Sequence, residues 1–326
     1  MRIFPEEYGS DPGRVHTGTL WHCLRGLGDT VLRIHPEPAA LTRALAPMPL
    51  LDIHAGNRMA YSAAAFCPSE TGPDEDGAWL YGASLGLQYG RAPELMLATL
   101  RPLDTDLSAR SLLFFDGGGA LVQALIPGEP VTGQHLDTLI GEHLHPRQDC
   151  LPELEPAPAT QRAPRAGELS ALERHWCQCS TEREFSRELE RRQLERARVY
   201  RQMGDQYAAR VAPETLPSVL TMAQSRTQAI RLTQLLAHGR QDFHAVPHAR
   251  SWHGHRLFFC LGPSRHEWDC PRLGSVWRVR RPGLRGIETS LEVLDDQGRL
   301  ALILAADDER RWRRLLGDAL YPSKDG

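Results

Sequence analysis

Residues 290–305 read SLEVLDDQGRLALILA, and residues 111–126 read SLLFFDGGGALVQALI. Each stretch starts with Ser-Leu, runs through apolar residues to an aspartate, turns at a glycine and returns through a second apolar run. Two apolar runs joined by a short turn, in which glycine supplies a positive φ, are typical of a β-hairpin. Both stretches are therefore predicted to be hairpins, and their common plan indicates an internal repeat.

The sequence around these hairpins also repeats in order. A helical pattern follows each of them, HLDTLIGEHL at 135–144 and RRWRRLLGDAL at 310–320. Similar segments begin the two halves, LGDTVLRIHPEPAALTRAL from Leu27 and MGDQYAARVAPETLPSVLTMA from Met203. Because helical runs precede runs of strands, we predict an α+β fold. It is expected to be a tandem duplication of a unit in which helices pack on a large antiparallel β-sheet.

A proline-rich segment separates the two halves. Residues 146–167, PRQDCLPELEPAPATQRAPRAG, contain five prolines and no aromatic residue, which is typical of a semi-rigid linker. The predicted organisation is an N-terminal repeat at 1–145, this linker, and a C-terminal repeat at 168–326. Within the second repeat, apolar residues at helical spacing predict one long helix from Glu182 to Met203.

Composition narrows the class of protein. The 326 residues carry a formal net charge of -3, so no nucleic-acid partner is expected. No stretch approaches eighteen uninterrupted apolar residues, and the N-terminus lacks the apolar core of a signal peptide, so we expect a cytoplasmic protein without a membrane span. The seven cysteines contain no CxxC pair and are expected to be free thiols.

Few motifs of catalysis occur in the sequence. There is no HExxH motif, and the glycines of DGGGAL at 116–121 are better explained by a hairpin turn than by a phosphate loop. His253 and His255 could share a metal, but no carboxylate or cysteine lies close by to complete the site. Four arginines in WRVRRPGLRG, at 277–286, could bind carboxylates or could simply guard a strand edge.

At these arginines the sequence resembles a known family. The segment SVWRVRRPGLRGIETSLEVLDDQGRLAL, at 275–302, is similar to a hallmark segment of bacterial hemin-transport and hemin-degrading proteins of the HemS/ChuS/HmuS type. The matching residues are Trp277, Arg280, Arg281, Pro282, Gly286, Thr289, Ser290, Leu291, Glu292, Asp295 and Gly298. The closing helix matches through Trp312 and Leu315, and internal duplication is itself a trait of the family.

Two further segments carry the resemblance more weakly. ARSLLFFDGGGALV resembles the family's Arg-Ser-Leu-x-Phe-Phe-Asp segment, which begins here at Arg110 and includes Phe114. His244 follows Gly239 by five residues, a spacing that family members also show. The resemblance covers 170–322 well, 80–145 moderately and 1–75 poorly.

The resemblance implies a heme-binding or heme-trafficking protein with a HemS/ChuX-like domain. Heme would be the cofactor, or hemin or another tetrapyrrole the cargo, held in a cleft between the two repeats. Arg280 and Arg281 would neutralise the propionates, and Trp277 and Phe114 would contact or support the macrocycle. Arg110 and His244 would complete the binding residues, and a heme-transport or heme-oxygenase protein is the expected partner.

The two positions nearest the iron depart from the family. Alignment places Arg183 where the family has its iron-ligating histidine, and a guanidinium that stays protonated cannot ligate iron in the usual way. Met96 stands where the family has a distal arginine. His175 and Met96 are therefore the candidate metal ligands, since histidine and methionine are common axial ligands of heme.

Two hypotheses follow from these departures. In the first, the protein handles heme, and whether it also degrades heme is left open because the usual ligand positions are Arg183 and Met96. In the second, it is a non-catalytic relative that kept the scaffold, lost the iron ligands, and binds another ligand or a protein partner, since fold does not fix function.

Overall fold

The computed structural model describes residues 31–74, 77–90, 95–99, 111–127, 133–148, 161–283 and 286–320. Arg110 lies outside the described residues. Within them, the helices are α1 (Pro38–Leu45), α2 (Gly133–Glu142), α3 (Ala166–Gln178), α4 (Glu182–Arg192), α5 (Arg196–Met203), α6 (Thr215–Ser225) and α7 (Glu309–Leu320). A short 3-10 helix spans Cys270–Arg272.

Strands outnumber helices in both halves of the chain. In the first half they are β1 (Val31–Ile34), β2 (Leu51–Gly56), β3 (Ala60–Phe66), β4 (Glu70–Asp74), β5 (Gly77–Tyr81), β6 (Leu85–Tyr89), β7 (Leu95–Thr99), β8 (Ser111–Phe115) and β9 (Leu121–Pro127). In the second they are β10 (Ala208–Val211), β11 (Ile230–Leu236), β12 (Gly239–Ala245), β13 (Pro247–His253), β14 (Arg256–Leu261), β15 (Ser264–Asp269), β16 (Leu273–Gly283), β17 (Gly286–Asp295) and β18 (Leu300–Ala305).

The chain divides into two compact units. The first unit contains the described residues up to 148 together with Gln234–Phe243 and Pro263–Glu267. The second unit contains the described residues from 161 to 233, His244–Gly262, and the residues from 268 to 320. The boundaries predicted from the sequence, at 145 and 168, stay a prediction.

Strand order is the same in the two units. The first unit contains the order β1-β7-β8-β9-β2, and the second contains β10-β16-β17-β18-β11. The neighbouring strands β1–β7, β7–β8, β8–β9 and β9–β2 pair antiparallel in the first unit. The pairs β10–β16, β16–β17 and β17–β18 are antiparallel in the second. The predicted α+β fold with helices and large antiparallel sheets is confirmed, and the matching strand order supports the predicted duplication.

Both predicted hairpins are present and end in equivalent turns. In the β8–β9 turn, one Asp116 carboxylate oxygen accepts hydrogen bonds from the backbone N–H groups of Gly118 and Ala120, at 3.0 and 2.8 Å. In the β17–β18 turn, Asp295 accepts the corresponding N–H groups two and four residues further on, each at 2.9 Å. A glycine follows each aspartate by three residues with φ of 81° or 78°, a conformation that an L side chain rarely adopts.

The single long helix predicted from Glu182 to Met203 is wrong. The structure has two helices, α4 and α5, separated at Gln193, whose φ of 55° is left-handed and caps α4. Leu194 is buried in the gap, where the backbone also pairs with Arg162. Charge pairing along the sequence favours a continuous helix, but burial of Leu194 and the pairing with Arg162 favour the break.

The core of the second unit forms where α3, α4 and α5 cover one face of β16 and β17. Its buried residues include Trp176, Phe185, Leu189, Tyr200, Met203, Trp277 and Val279. Strand residues of β16 alternate between this face and the other, because side chains of a strand point to opposite sides in turn. Trp277, Val279 and Arg281 therefore share the core side, and Arg278 and Arg280 lie on the other face.

Candidate functional site

A group of buried charges lies inside the core of the second unit. Glu292 is 0% exposed and accepts a hydrogen bond from Arg281 Nη2 at 2.9 Å through one oxygen. Its other oxygen accepts from Arg196 Nη1 at 2.9 Å and from the Tyr200 hydroxyl. Arg196 also donates to Glu182 at 2.8 Å. We call these five residues, Glu182, Arg196, Tyr200, Arg281 and Glu292, the buried charge network.

The network stabilises the ionised form of Glu292. Burial alone opposes ionisation, but the positive charges of Arg281 and Arg196 and two hydrogen bonds outweigh it, so the pKa of Glu292 lies below its ordinary value. Burial raises the pKa of Tyr200 far above its ordinary value, so its hydroxyl remains a donor. The network therefore holds two arginine charges against two carboxylates inside the core.

Trp176 joins this network to α3. Its indole Nε1–H donates to the backbone carbonyl of Arg280 at 3.1 Å, and its ring is 1% exposed. The guanidinium carbon of Arg281 lies 4.8 Å from the centroid of the Trp176 ring, within the range of a cation–π interaction. The edge of the Phe185 ring packs against the same indole, with the centroids 4.6 Å apart. The end of α3 is therefore held to strand β16 by a hydrogen bond and by ring contacts.

His175 precedes Trp176 on α3 and is partly buried. Its ring Nε2 is buried and has no hydrogen-bond partner. A buried polar nitrogen without a partner loses its interaction with water and gains nothing in return. Of the two metal ligands predicted from the sequence, His175 is therefore the one with a buried nitrogen that lacks a hydrogen-bond partner.

The start of α3 is fixed as firmly as its end. Glu168 accepts two hydrogen bonds from the guanidinium of Arg162, at 2.6 and 2.7 Å, and a third from the backbone N–H of Arg165 at 2.8 Å. These donors lower the pKa of Glu168, led by the side chain of Arg162. Because both ends of the helix are tied down, the position of His175 follows from the position of α3.

Arg278 and Arg280 lie on the face of β16 that is opposite to the buried charge network. Both are partly exposed, and within the described part of the chain neither forms an ion pair. The Nε atom of Arg278 is buried without an acceptor. Two guanidinium groups on one strand face, two residues apart, can bind an anion such as a carboxylate through several hydrogen bonds.

Two residues predicted to contact the ligand are instead part of the core. Trp277 is 2% exposed, packs against Tyr200, and its indole nitrogen donates to Ser275 at 2.9 Å. Arg281 is 7% exposed and its charge is balanced by Glu292 at 2.9 Å. Arg281 lies against the Trp176 ring, Trp277 belongs to the same core, and neither has a free surface for propionates or for a macrocycle.

In the first unit, Met96 and Phe114 are cross-strand neighbours on β7 and β8. Both are buried, at 1% and 0% exposure. Phe114 stacks against Tyr89 and His238, whose rings lie nearly parallel to it at centroid distances of 6.0 and 5.0 Å. Met96 therefore lies in a closed apolar environment. A polar group that was not predicted from the sequence lies next to Phe114.

That polar group centres on Gln123, which is opposite Phe114 on β9. Its Oε1 atom accepts a hydrogen bond from the Tyr89 hydroxyl at 3.3 Å and lies 2.9 Å from His238 Nε2. Burial raises the pKa of Tyr89 well above its ordinary value, so the hydroxyl stays protonated and donates. A single glutamine in an otherwise apolar strand is a weak signal in sequence, which is why this cluster was missed.

Replacing Gln123 by leucine is expected to lower the free energy of unfolding by about 2–4 kcal/mol. The change removes the acceptor for two buried groups, and each lost partner costs about 1–3 kcal/mol. Denaturant unfolding of the variant measures the loss. The matched control is Gln224→Leu on the exposed side of α6, where we expect a change within about 0.5 kcal/mol. Equal midpoints for the two variants would contradict the role assigned to Gln123.

His244 lies near the end of β12. It is exposed, and its Nε2 is 3.3 Å from the Asp307 carboxylate, which also lies 3.4 Å from Arg231. Among the described residues, no group of three or more potential metal ligands is found. No described helix has the length and apolar character needed to cross a lipid bilayer.

Comparison with known proteins gives structural matches but no sequence matches. No family model and no curated protein sequence matches the chain. Over 94% of this chain and 98% of the other, the structure resembles holo-PhuS, a heme-binding protein from Pseudomonas aeruginosa, with 19% identity and a TM-score of 0.76. Over 92% and 91%, it resembles ChuS, an E. coli heme oxygenase, with 17% identity and a TM-score of 0.75. The chain therefore has the fold of PhuS and ChuS, as the resemblance in its sequence predicted.

Proposed function

We propose that this protein binds heme and that His175 is the iron ligand. The observation that carries the proposal is the buried Nε2 of His175, which has no hydrogen-bond partner. The two structures that share the fold almost end to end are a heme-binding protein and a heme oxygenase, which supports a tetrapyrrole as the ligand. A neutral imidazole nitrogen is the commonest protein ligand of heme iron, and coordination would satisfy this atom.

Arg278 and Arg280 are candidate residues for binding an anion on the face of β16 opposite to the face that α3 covers. Trp176, the neighbour of His175, donates to the backbone carbonyl of Arg280, whereas the Arg280 side chain points to the opposite face of the strand. The orphan Nε of Arg278 supports an anionic ligand on this strand. Arg281, by contrast, is already neutralised by Glu292, which favours Arg280 over Arg281 for this role.

His175 is partly exposed as a residue and Met96 is not, which supports His175 over Met96 as the axial ligand. The Met96 side chain is 1% exposed next to Phe114, so heme could reach it only if the core of the first unit opened. Bound heme would supply the redox and ligand chemistry of its iron, and the protein would supply position and surroundings. The cleft between the repeats and a role for His244 stay predictions from the resemblance.

The second hypothesis, a scaffold relative that binds another ligand, is favoured by a different observation. The resemblance assigns three residues to the macrocycle and the propionates, and all three are buried in the core: Trp277, Phe114 and Arg281. If those residues are structural in this chain, the shared fold needs no heme to explain it. The two hypotheses differ in what hemin does when it is added to the protein.

Titration of the purified protein with hemin, followed by the Soret band, tests the proposal. We expect a sharp, shifted band that saturates at one hemin per chain. His175→Ala is expected to abolish the shift, because no ring nitrogen remains to ligate the iron. His248→Ala is the matched control: His248 is exposed on β13, and its loss is expected to leave the spectrum unchanged.

Three results would count against the proposal. A broad band without saturation, as for hemin adsorbed to a carrier surface, would support the second hypothesis. A shift that survives His175→Ala but is lost in Met96→Ala would assign the iron to methionine. Equal losses in His175→Ala and His248→Ala would show that surface histidines adsorb hemin without a defined site.

A further inference from the structure

We propose that Arg281 is a positioning residue that fixes Trp176 and, through it, the orientation of His175. This inference rests on the proposed function, because it concerns the histidine assigned to the iron. It goes beyond that function by assigning a role to an arginine that the resemblance places among the propionate ligands.

The geometry around Trp176 leaves the indole little freedom. The Arg281 guanidinium faces the ring at 4.8 Å from its centroid, and the Phe185 ring meets it edge-on at 4.6 Å. The indole nitrogen is bound to the Arg280 carbonyl at 3.1 Å. Because His175 is adjacent on the same helix, rotation of α3 about its axis would have to break these contacts together.

Arg281 itself is held in place from the opposite side. Its Nη2 donates to Glu292 at 2.9 Å, and Glu292 is in turn bound by Arg196 and Tyr200. Arg281 is 7% exposed, so solvent has little access to its hydrogen bond with Glu292. The flat guanidinium thus connects a fixed carboxylate to the face of the indole.

Arginine and lysine are not equivalent at such a position. A lysine ammonium could still pair with Glu292, and the net charge of the buried charge network would be unchanged. The lysine side chain would lack the planar guanidinium that stacks on an aromatic ring, and it would lack the forked set of N–H donors that can bind two partners. Arg281→Lys therefore keeps the positive charge that folding needs and removes the planar guanidinium that positions Trp176.

The experiment compares Arg281→Lys with the wild-type chain in two assays. Without hemin, peptide-resolved mass spectrometry follows the modification of His175 by diethyl pyrocarbonate. With hemin, titration gives the affinity and the Soret maximum. The matched control is Arg210→Lys on β10, where the arginine is exposed. Circular dichroism verifies that each variant is folded.

We expect Arg281→Lys to be folded, to react faster at His175 than the wild type, and to bind hemin at least about tenfold more weakly, with an altered Soret maximum. Loss of a residue that orients a metal ligand costs about 10–100-fold in affinity. The control is expected to match the wild type in both assays. If Arg281→Lys does not fold, Trp176→Phe takes its place, and the same changes are expected because the hydrogen bond to Arg280 is lost.

The assays distinguish failure of this inference from failure of the proposed function. If the wild type shows no saturable Soret shift, the proposed function fails, and the reactivity of His175 still tests the positioning. An unchanged rate of modification in the folded variant would overturn the positioning role. Wild-type affinity and Soret maximum in that variant would overturn it equally.

Discussion

Glu292→Gln is expected to lower the free energy of unfolding by about 3–5 kcal/mol. Breaking a buried ion pair by removing one partner leaves uncompensated charge in the core, and measured costs fall in this range. Here the loss affects two arginines, because Arg196 and Arg281 both donate to Glu292. The neutral amide retains the shape of the side chain, so packing is kept while the charge and one of the two acceptor oxygens are lost.

Denaturant unfolding of the variant measures this effect. Glu190→Gln is the matched control, because Glu190 is exposed on α4 and its loss is expected to change stability by less than about 0.5 kcal/mol. A loss below about 1 kcal/mol for Glu292→Gln would mean that the two arginine charges are not paired inside the core as described.

Glu292→Gln is also expected to make the stability of the folded protein less sensitive to acid. The pKa of Glu292 is below its ordinary value of 4.5 in the folded state, so the unfolded chain takes up this proton first as the pH falls. Its contribution to stability is present above pH 4.5 and is lost as the pH falls through the lowered pKa. Over that acidic range, the unfolding midpoint of Glu292→Gln should fall less than that of the wild type.

Trp312→Ala is expected to cost about 3–5 kcal/mol, the usual range for removing a buried tryptophan side chain. The side chain is 0% exposed on α7, and its indole nitrogen donates to the Thr289 carbonyl at 2.8 Å. Both the packing of the helix on β17 and one buried hydrogen bond would be lost. Thermal and denaturant unfolding give the magnitude.

Trp252→Ala is the matched control for this change. Trp252 lies on β13 with 48% of its surface exposed, so its removal leaves no closed cavity. We expect its effect to be small, within about 1 kcal/mol. Comparable losses in the two variants would argue that α7 does not pack on the sheet through Trp312.

Glu292 and Trp312 both belong to the segments that resemble the HemS/ChuS family, and so does Trp277. All three are buried; Glu292 and Trp312 form hydrogen bonds to neighbouring elements, and Trp277 packs against Tyr200. The most specific part of the resemblance thus consists largely of residues that build the core of the second unit. This explains why the sequence predicted the fold well while its predicted heme contacts were less informative.

The sequence by itself determined the hairpins, because their information is local. Apolar runs specify strands, and an aspartate three residues before a glycine specifies the turn that Asp116 and Asp295 both form. Alternation along β16 likewise determined that Arg278 and Arg280 share one face and Arg281 the other. No contact with a distant segment is needed for these conclusions.

Only the tertiary structure decided which of these faces is buried and which residue meets which partner. Arg281 became a core residue because α3 and α4 cover its side of β16 and Glu292 faces it from β17. Phe114 became a neighbour of His238, which lies in the second half of the sequence. Burial and hydrogen-bond satisfaction depend on such distant contacts, so the orphan nitrogen of His175 could be found only once the chain was folded.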